Sequence, residues 1–126
     1  RLRIYREAVE ASGRPFDPMS VAVARNLTIV RNEAEREAAM ERRMKALARM
    51  NNLATASDRG YRSSMASDPD LRRAAEKGTL IGTPDEIIAM IQRLRDGGVE
   101  YILFSSAYAT PGLMQSFADE IMPAFA

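Results

Sequence analysis

The feature that most constrains this chain is an alternation of short, β-branched or apolar runs with longer stretches of helical periodicity. The runs are residues 20–30 (SVAVARNLTIV), 79–82 (TLIG) and 99–104 (VEYILF). Each is followed by a helical pattern, and another helix precedes the first. Strands that alternate with helices pair in parallel through right-handed crossovers. The predicted class is therefore α/β, with about three parallel strands and flanking helices in one domain over residues 1–126.

The first run predicts a strand buried on both sides. Val21, Val23, Arg25, Leu27 and Ile29 share one face, and Ala22, Ala24, Asn26, Thr28 and Val30 share the other. Both faces are largely apolar, as in strands of parallel sheets. Before it, residues 1–12 form an amphipathic helix closed by Gly13, with a turn through Pro15 and Pro18. After it, residues 32–56 read as one long helix. Asn32 is its N-cap, Glu33 and Glu35 lie in its first turn, and Met40, Met44, Leu47, Met50 and Ala54 make an apolar stripe. Arg36, Glu37, Arg42, Arg43 and Arg49 mostly face elsewhere.

Residues 57–78 are polar and broken by Gly60, Pro69 and Gly78. A short helix is expected over 69–77 with Asp68 as N-cap, after a segment that serves either as a binding loop or as plain surface. Thr83-Pro84-Asp85-Glu86 then starts a helix with a capping box, whose apolar face is Ile87, Ile88, Ile91 and Leu94 and which ends at Gly97-Gly98. Residues 111–122 form the last helix, with Leu113, Met114, Phe117, Ile121 and Met122 apolar.

Composition removes several chemistries. The chain has no cysteine and no histidine. Disulfides, thiolate metal sites, cysteine nucleophiles and a Ser-His-Asp triad are excluded, and no metal site is expected. A net charge of +1 offers no field for nucleic acid or an anionic membrane, and Arg42, Arg43 and Arg49 are interleaved with Glu37 and Glu41 as on a solvated helix face. No apolar run spans a bilayer and no signal peptide is visible, so a cytoplasmic protein is expected. The first residues already read as mid-helix, which predicts a missing N-terminal portion.

Four motifs carry a family resemblance. The stretch GTPDEIIAMIQRLRDGGVEYILF (82–104) closely resembles the C-terminal signature of luciferase-like flavin-dependent monooxygenases. The ending SFADEIMPAF (116–125) is similar to the family's closing helix. RNLTIVRNEAERE (25–37) resembles the sixth strand and following helix of the alkanesulfonate-monooxygenase branch, and YREAVEASGRPFDP (5–18) the helix and turn before it. Together they cover nearly the whole chain except residues 57–70.

The resemblance implies a (β/α)8 barrel, of which this chain would be the last three strand–helix units, since a complete barrel needs about 250 residues. It implies reduced FMN, or in some branches a deazaflavin, with oxygen and a small organic substrate. A flavin reductase is the implied partner; separately, a sheet of three strands has two unpaired edges, which predicts that the chain dimerises or swaps elements to cover them. Arg25 matches the branch's strand arginine beside substrate and flavin. Two residues on, the sulfonate enzymes carry histidine where this chain has Leu27, a departure that speaks against sulfonate chemistry. The family's main phosphate and ring contacts lie on earlier strands.

Barrel sites lie at the C-terminal strand ends, which here fall near Val30-Arg31, Gly82-Thr83 and Ser105-Ser106. The Gly82-Thr83 turn either approaches a flavin or substrate phosphate or is an ordinary strand-to-helix turn, for which Thr-Pro capping suffices. Arg25 faces either a ligand oxygen or a carboxylate, because a buried arginine needs a partner. Ser105 and Ser106 either bond a ligand edge or cap the next loop, and Tyr61 and Tyr108 are candidates for ring stacking. Two functions follow: part of a flavin-dependent monooxygenase, inactive by itself, or a non-catalytic half-barrel used for oligomerisation or interaction.

Overall fold

In the computed structural model, residues 2–55, 70–105 and 110–126 are described. The elements are α1 (Leu2–Ala11), a 3-10 turn (Pro18–Ser20), β1 (Ala22–Ile29), α2 (Glu33–Thr55), α3 (Leu71–Lys77), β2 (Thr79–Gly82), α4 (Pro84–Asp96), β3 (Tyr101–Phe104), α5 (Pro111–Glu120) and a closing 3-10 turn (Met122–Phe125). The alternation of strand and helix is the one predicted.

Both partners of β1 run parallel to it, and the strand order is β2-β1-β3. The central strand is shared by halves. Asn26 to Ile29 stand opposite Thr79 to Gly82, whereas Ala22 to Arg25 stand opposite Tyr101 to Phe104. The chain thus steps one way from β1 to β2 and back across β1 to reach β3. Right-handed crossovers in opposite directions place their helices on opposite faces of the sheet.

The two cores follow that rule. On one face Val30 and Ile81 pack with Ala39, Met40 and Leu47 of α2 and Ala75 of α3. On the other, Leu27 and Leu80 pack with Ile87 and Ile91 of α4 and with Ile121 after α5. Phe104 meets Phe117 edge-on there, with ring centroids 4.9 Å apart. The open sheet differs from the barrel arc expected from sequence. In a barrel, consecutive strands are neighbours and every helix lies outside. Here β3 lies beside β1, helices cover both faces, and no barrel closure is present among the described residues. The apolar character of both faces of β1 permits this arrangement.

The local signals mostly hold. Gly13, at φ +76°, ends α1; its N–H donates to Glu10 O (2.9 Å) and the Arg14 N–H to Val9 O (3.4 Å), a paired C-terminal cap that needs a left-handed residue. Asn32 Oδ1 accepts the Glu35 N–H (2.9 Å) as predicted. α3 starts later than expected, at Leu71, because Asp70 caps it by accepting the Arg73 N–H (3.0 Å); Asp68 and Pro69 lie outside the described residues. The α2 stripe is only half used. Met40 and Leu47 are buried and Met44 packs beside them, but Met50 is exposed; the side chain of Ala54 lies outside the described residues. The cause is length: a 23-residue helix runs about 35 Å, far beyond a strand the size of β2, which spans about 13 Å. The last helix ends at Glu120, and Met114 and Met122 are exposed while Ile121 is fully buried.

Candidate functional site

Arg25 lies midway along β1, half-buried, opposite Phe104. Its Nη1 donates to the carbonyl of Ala24 (2.8 Å), and among the described residues no carboxylate pairs with it. The Gly82-Thr83 turn sits at the far end of the same strand, with Gly82 opposite Ile29 and its carbonyl accepting the Val30 N–H (2.9 Å).

Gly82 and Thr83 are held by an internal anion. Thr83 Oγ1 accepts the Glu86 N–H (3.4 Å), and the Thr83 N–H donates to Glu86 Oε2 (2.8 Å), which completes the capping box. A Cβ at Gly82 would stand 2.9 Å from that Oε2 and 3.0 Å from Glu86 Cβ, so the glycine is what allows the carboxylate to fold back. Arg36 Nη2 donates to the same oxygen (2.6 Å). The Arg36 hydrogen bond, followed by the Thr83 N–H, holds the Glu86 carboxyl below its ordinary pKa. A ligand phosphate at this turn would meet a carboxylate already using the donor. As arranged here, the turn does not fit a flavin phosphate, and the ordinary strand-to-helix reading accounts for its residues.

Ser105 is exposed and follows β3, its N–H donating to Arg25 O (2.9 Å). That places it near Asn26, three residues back from Ile29 and roughly 10 Å along the strand from Gly82. Residues of one strand alternate faces, so the side chain of Arg25 and that of Ser105 leave the sheet in opposite directions. The predicted site residues therefore do not converge. Ser106, Tyr61 and Tyr108 lie outside the described residues.

A different group of side chains does converge. On the face covered by α2, a cleft of about 550 Å³ is lined by Asn26, Thr28, Thr79, Ile81, Ser105 and Leu113 from the sheet side and α5, and by Ala39, Arg42, Arg43, Ala46 and Met50 of α2. Thr79 is already engaged, its hydroxyl donating to Ala75 O (2.9 Å). Arg43 is half-buried, and its Nε is buried without a hydrogen-bond partner. Burial lowers its pKa, yet a guanidinium stays protonated in proteins. The sequence pattern places Arg43 off the apolar stripe of α2. The structure corrects this, and the signal was present: Arg36, Met40, Arg43 and Leu47 recur at spacings of four, three and four, one continuous helix stripe.

Comparison of the chain with protein-family models, with curated proteins and with solved structures returns no match. Among the described residues there is no group of acidic side chains arranged to hold a metal ion, and no helix is long and apolar enough to cross a membrane.

Proposed function

We propose that the chain is the C-terminal part of a luciferase-like flavin-dependent monooxygenase acting on a small organic substrate. The observation that supports it best is the Gly82-Thr83-Pro84 turn. It stands at the C-terminal end of a parallel strand, opens α4 with a complete capping box, and is followed by the next parallel strand. That is the order of the family motif the sequence resembles.

In this reading the chain contributes scaffold. Reduced FMN, or a deazaflavin, supplies the oxidising chemistry with oxygen when bound. Because Glu86 fills the turn, flavin phosphate contacts fall to strands that precede this chain in the intact enzyme, and the isolated chain is inactive. Arg25 is the residue that would face the substrate. Barrel closure also requires Tyr101–Phe104 to take Thr79–Gly82 as neighbour in place of β1. The test is a structure and an FMN titration of the full-length protein encoded by the native gene, beside the 126-residue chain. Flavin bound by the former alone, with β3 beside β2, is expected. No flavin binding by the full-length protein, or β3 still beside β1, would overturn the reading.

One observation favours the second reading, an interaction module. On the α2 side of the sheet, where the β1–β3 half stays uncovered, Tyr101 (41% exposed) and Leu103 (50% exposed) stand opposite the exposed Ala22 and Ala24. β3 is also an open edge, which invites pairing with another strand. In this reading a second copy covers that edge. Sedimentation equilibrium of the chain and of Leu103→Lys tests it: a dimer that the charge abolishes is expected, and a strictly monomeric chain at high concentration rules it out.

A further inference from the structure

We infer that the cleft between α2 and the sheet binds a small organic carboxylate with an apolar body, held at its head by Arg43 and Arg42. Three observations converge on it. First, Arg43 lines the cleft and its buried Nε–H has no partner, although a guanidinium is an obligate donor that the fold elsewhere pairs with carboxylates: Arg31 with Glu120, Arg36 with Glu86 and Arg72 with Glu37. Second, Arg42 lines the same cleft, and none of the described residues that line it is acidic, so its lining carries two cations and no anion. Third, the rest of the wall is mainly apolar, with Ile81, Leu113 and Ala46 placed to cover a short hydrocarbon.

The chemistry selects the head group. The guanidinium fork matches the two oxygens of a carboxylate, and such charge-assisted bonds strengthen where water is excluded. Asn26, Thr28 and Ser105 add polar atoms at the sheet side of the cleft. The inference does not rest on the flavin reading: the cleft includes Ser105 but not Gly82 or Thr83, and it belongs to the arrangement in which β3 lies beside β1.

The experiment is a titration of the 126-residue chain with octanoate, followed by calorimetry and by the arginine guanidinium N–H resonances. Octanol and inorganic phosphate serve as the uncharged and the body-free comparators. Saturable one-to-one binding of octanoate, with a shift of the Arg43 Nε–H signal, is expected. Arg43→Met should weaken it about tenfold or more, the loss typical of a hydrogen bond to a charged group, and Arg43→Lys should retain part of the affinity. Circular dichroism establishes that each variant is folded, and Arg42→Met provides a second, exposed substitution that should also weaken binding. Equal affinity in all variants, octanol binding as tightly as octanoate, phosphate binding as tightly as octanoate, or no saturable binding would each overturn the inference.

Discussion

Arg36 and Glu86 join the first turns of α2 and α4 through a 2.6 Å contact between Nη2 and Oε2. The same Glu86 oxygen accepts the Thr83 N–H, and Arg36 also reaches Glu33 and the carbonyl of Ile81. One carboxylate therefore fixes a helix cap, a helix pair and the end of β2. Gly82→Ala forces Glu86 to move, since its Cβ would fall within 3.0 Å of the Glu86 side chain. Gly82→Ala and Glu86→Gln should each lower the urea midpoint, and the double variant should lose less than the sum, because both break one arrangement. Thr83→Ala, which removes the cap oxygen alone, should cost about 1 kcal/mol. Additive losses in the cycle would mean that Gly82 and the Glu86 carboxylate act separately.

Acid should loosen the same contacts. The carboxyls of Glu37, Glu86 and Glu120 are each held below the ordinary 4.5, first by hydrogen bonds from Arg72, Arg36 and Arg31 respectively. A depressed folded-state pKa contributes stability that is complete above the unfolded value and is lost as the pH falls through the folded one. Urea midpoints should hold steady from neutral pH to near pH 5 and decline below the unfolded value. Glu120→Gln, which removes the contact between α5 and the end of β1, should flatten part of that decline. An unchanged acid profile in this variant would show that Arg31 and Glu120 are solvated independently. All three carboxyls are exposed, so added salt should reduce the effect.

Much of this fold is legible in the sequence because its signals are local. Asn32, Thr83 and Gly13 declare helix ends through their own side chains or their lack of one, and Leu27 and Ile87 lie on predicted apolar faces. Strand order is not local. Nothing in VEYILF states that β3 will pair with Ala22–Arg25 of β1 and not with β2, since both choices satisfy an apolar strand. The candidate site suffers from the same limit. Arg25, Gly82 and Ser105 each sit at a plausible place in the chain, but register separates Gly82 from Ser105, and the alternation of faces separates Arg25 from both the cleft and Ser105. Arg43 was missed because a charge within a stripe is easily assigned to the solvent face.

The division of α2 into a packed and a protruding half sets different costs along one helix. Leu47 is 2% exposed and belongs to the cluster with Val30, Met40 and Ile81. Leu47→Ala should destabilise the chain by about 2–5 kcal/mol, the range for a large buried aliphatic replaced by alanine. Met50, one turn on and 45% exposed, should cost less than about 0.5 kcal/mol when replaced by alanine. Chemical denaturation of the two variants measures both. A comparable loss at Met50 would mean that its side chain is covered in solution, by a partner or by another segment.

Arg43 should behave in the opposite way to a core residue. Its Nε is buried without a partner, and its guanidinium lies against the turn between α3 and β2, with Nη2 3.6 Å from where a Cβ on Gly78 would stand. A charge removed from water without a counter-charge opposes folding, and an apolar side chain of similar length avoids that penalty while filling the same space. Arg43→Met should therefore raise the ligand-free unfolding free energy measured in urea, by about 1 kcal/mol after allowance for the part of the side chain that water reaches. The same variant should lose the octanoate-dependent rise in stability that binding confers on the parent chain. A site maintained for a ligand predicts this pairing of higher intrinsic stability with lost response. If Arg43→Met is instead destabilising and octanoate stabilises neither protein, the arginine serves the fold through its hydrocarbon stem alone.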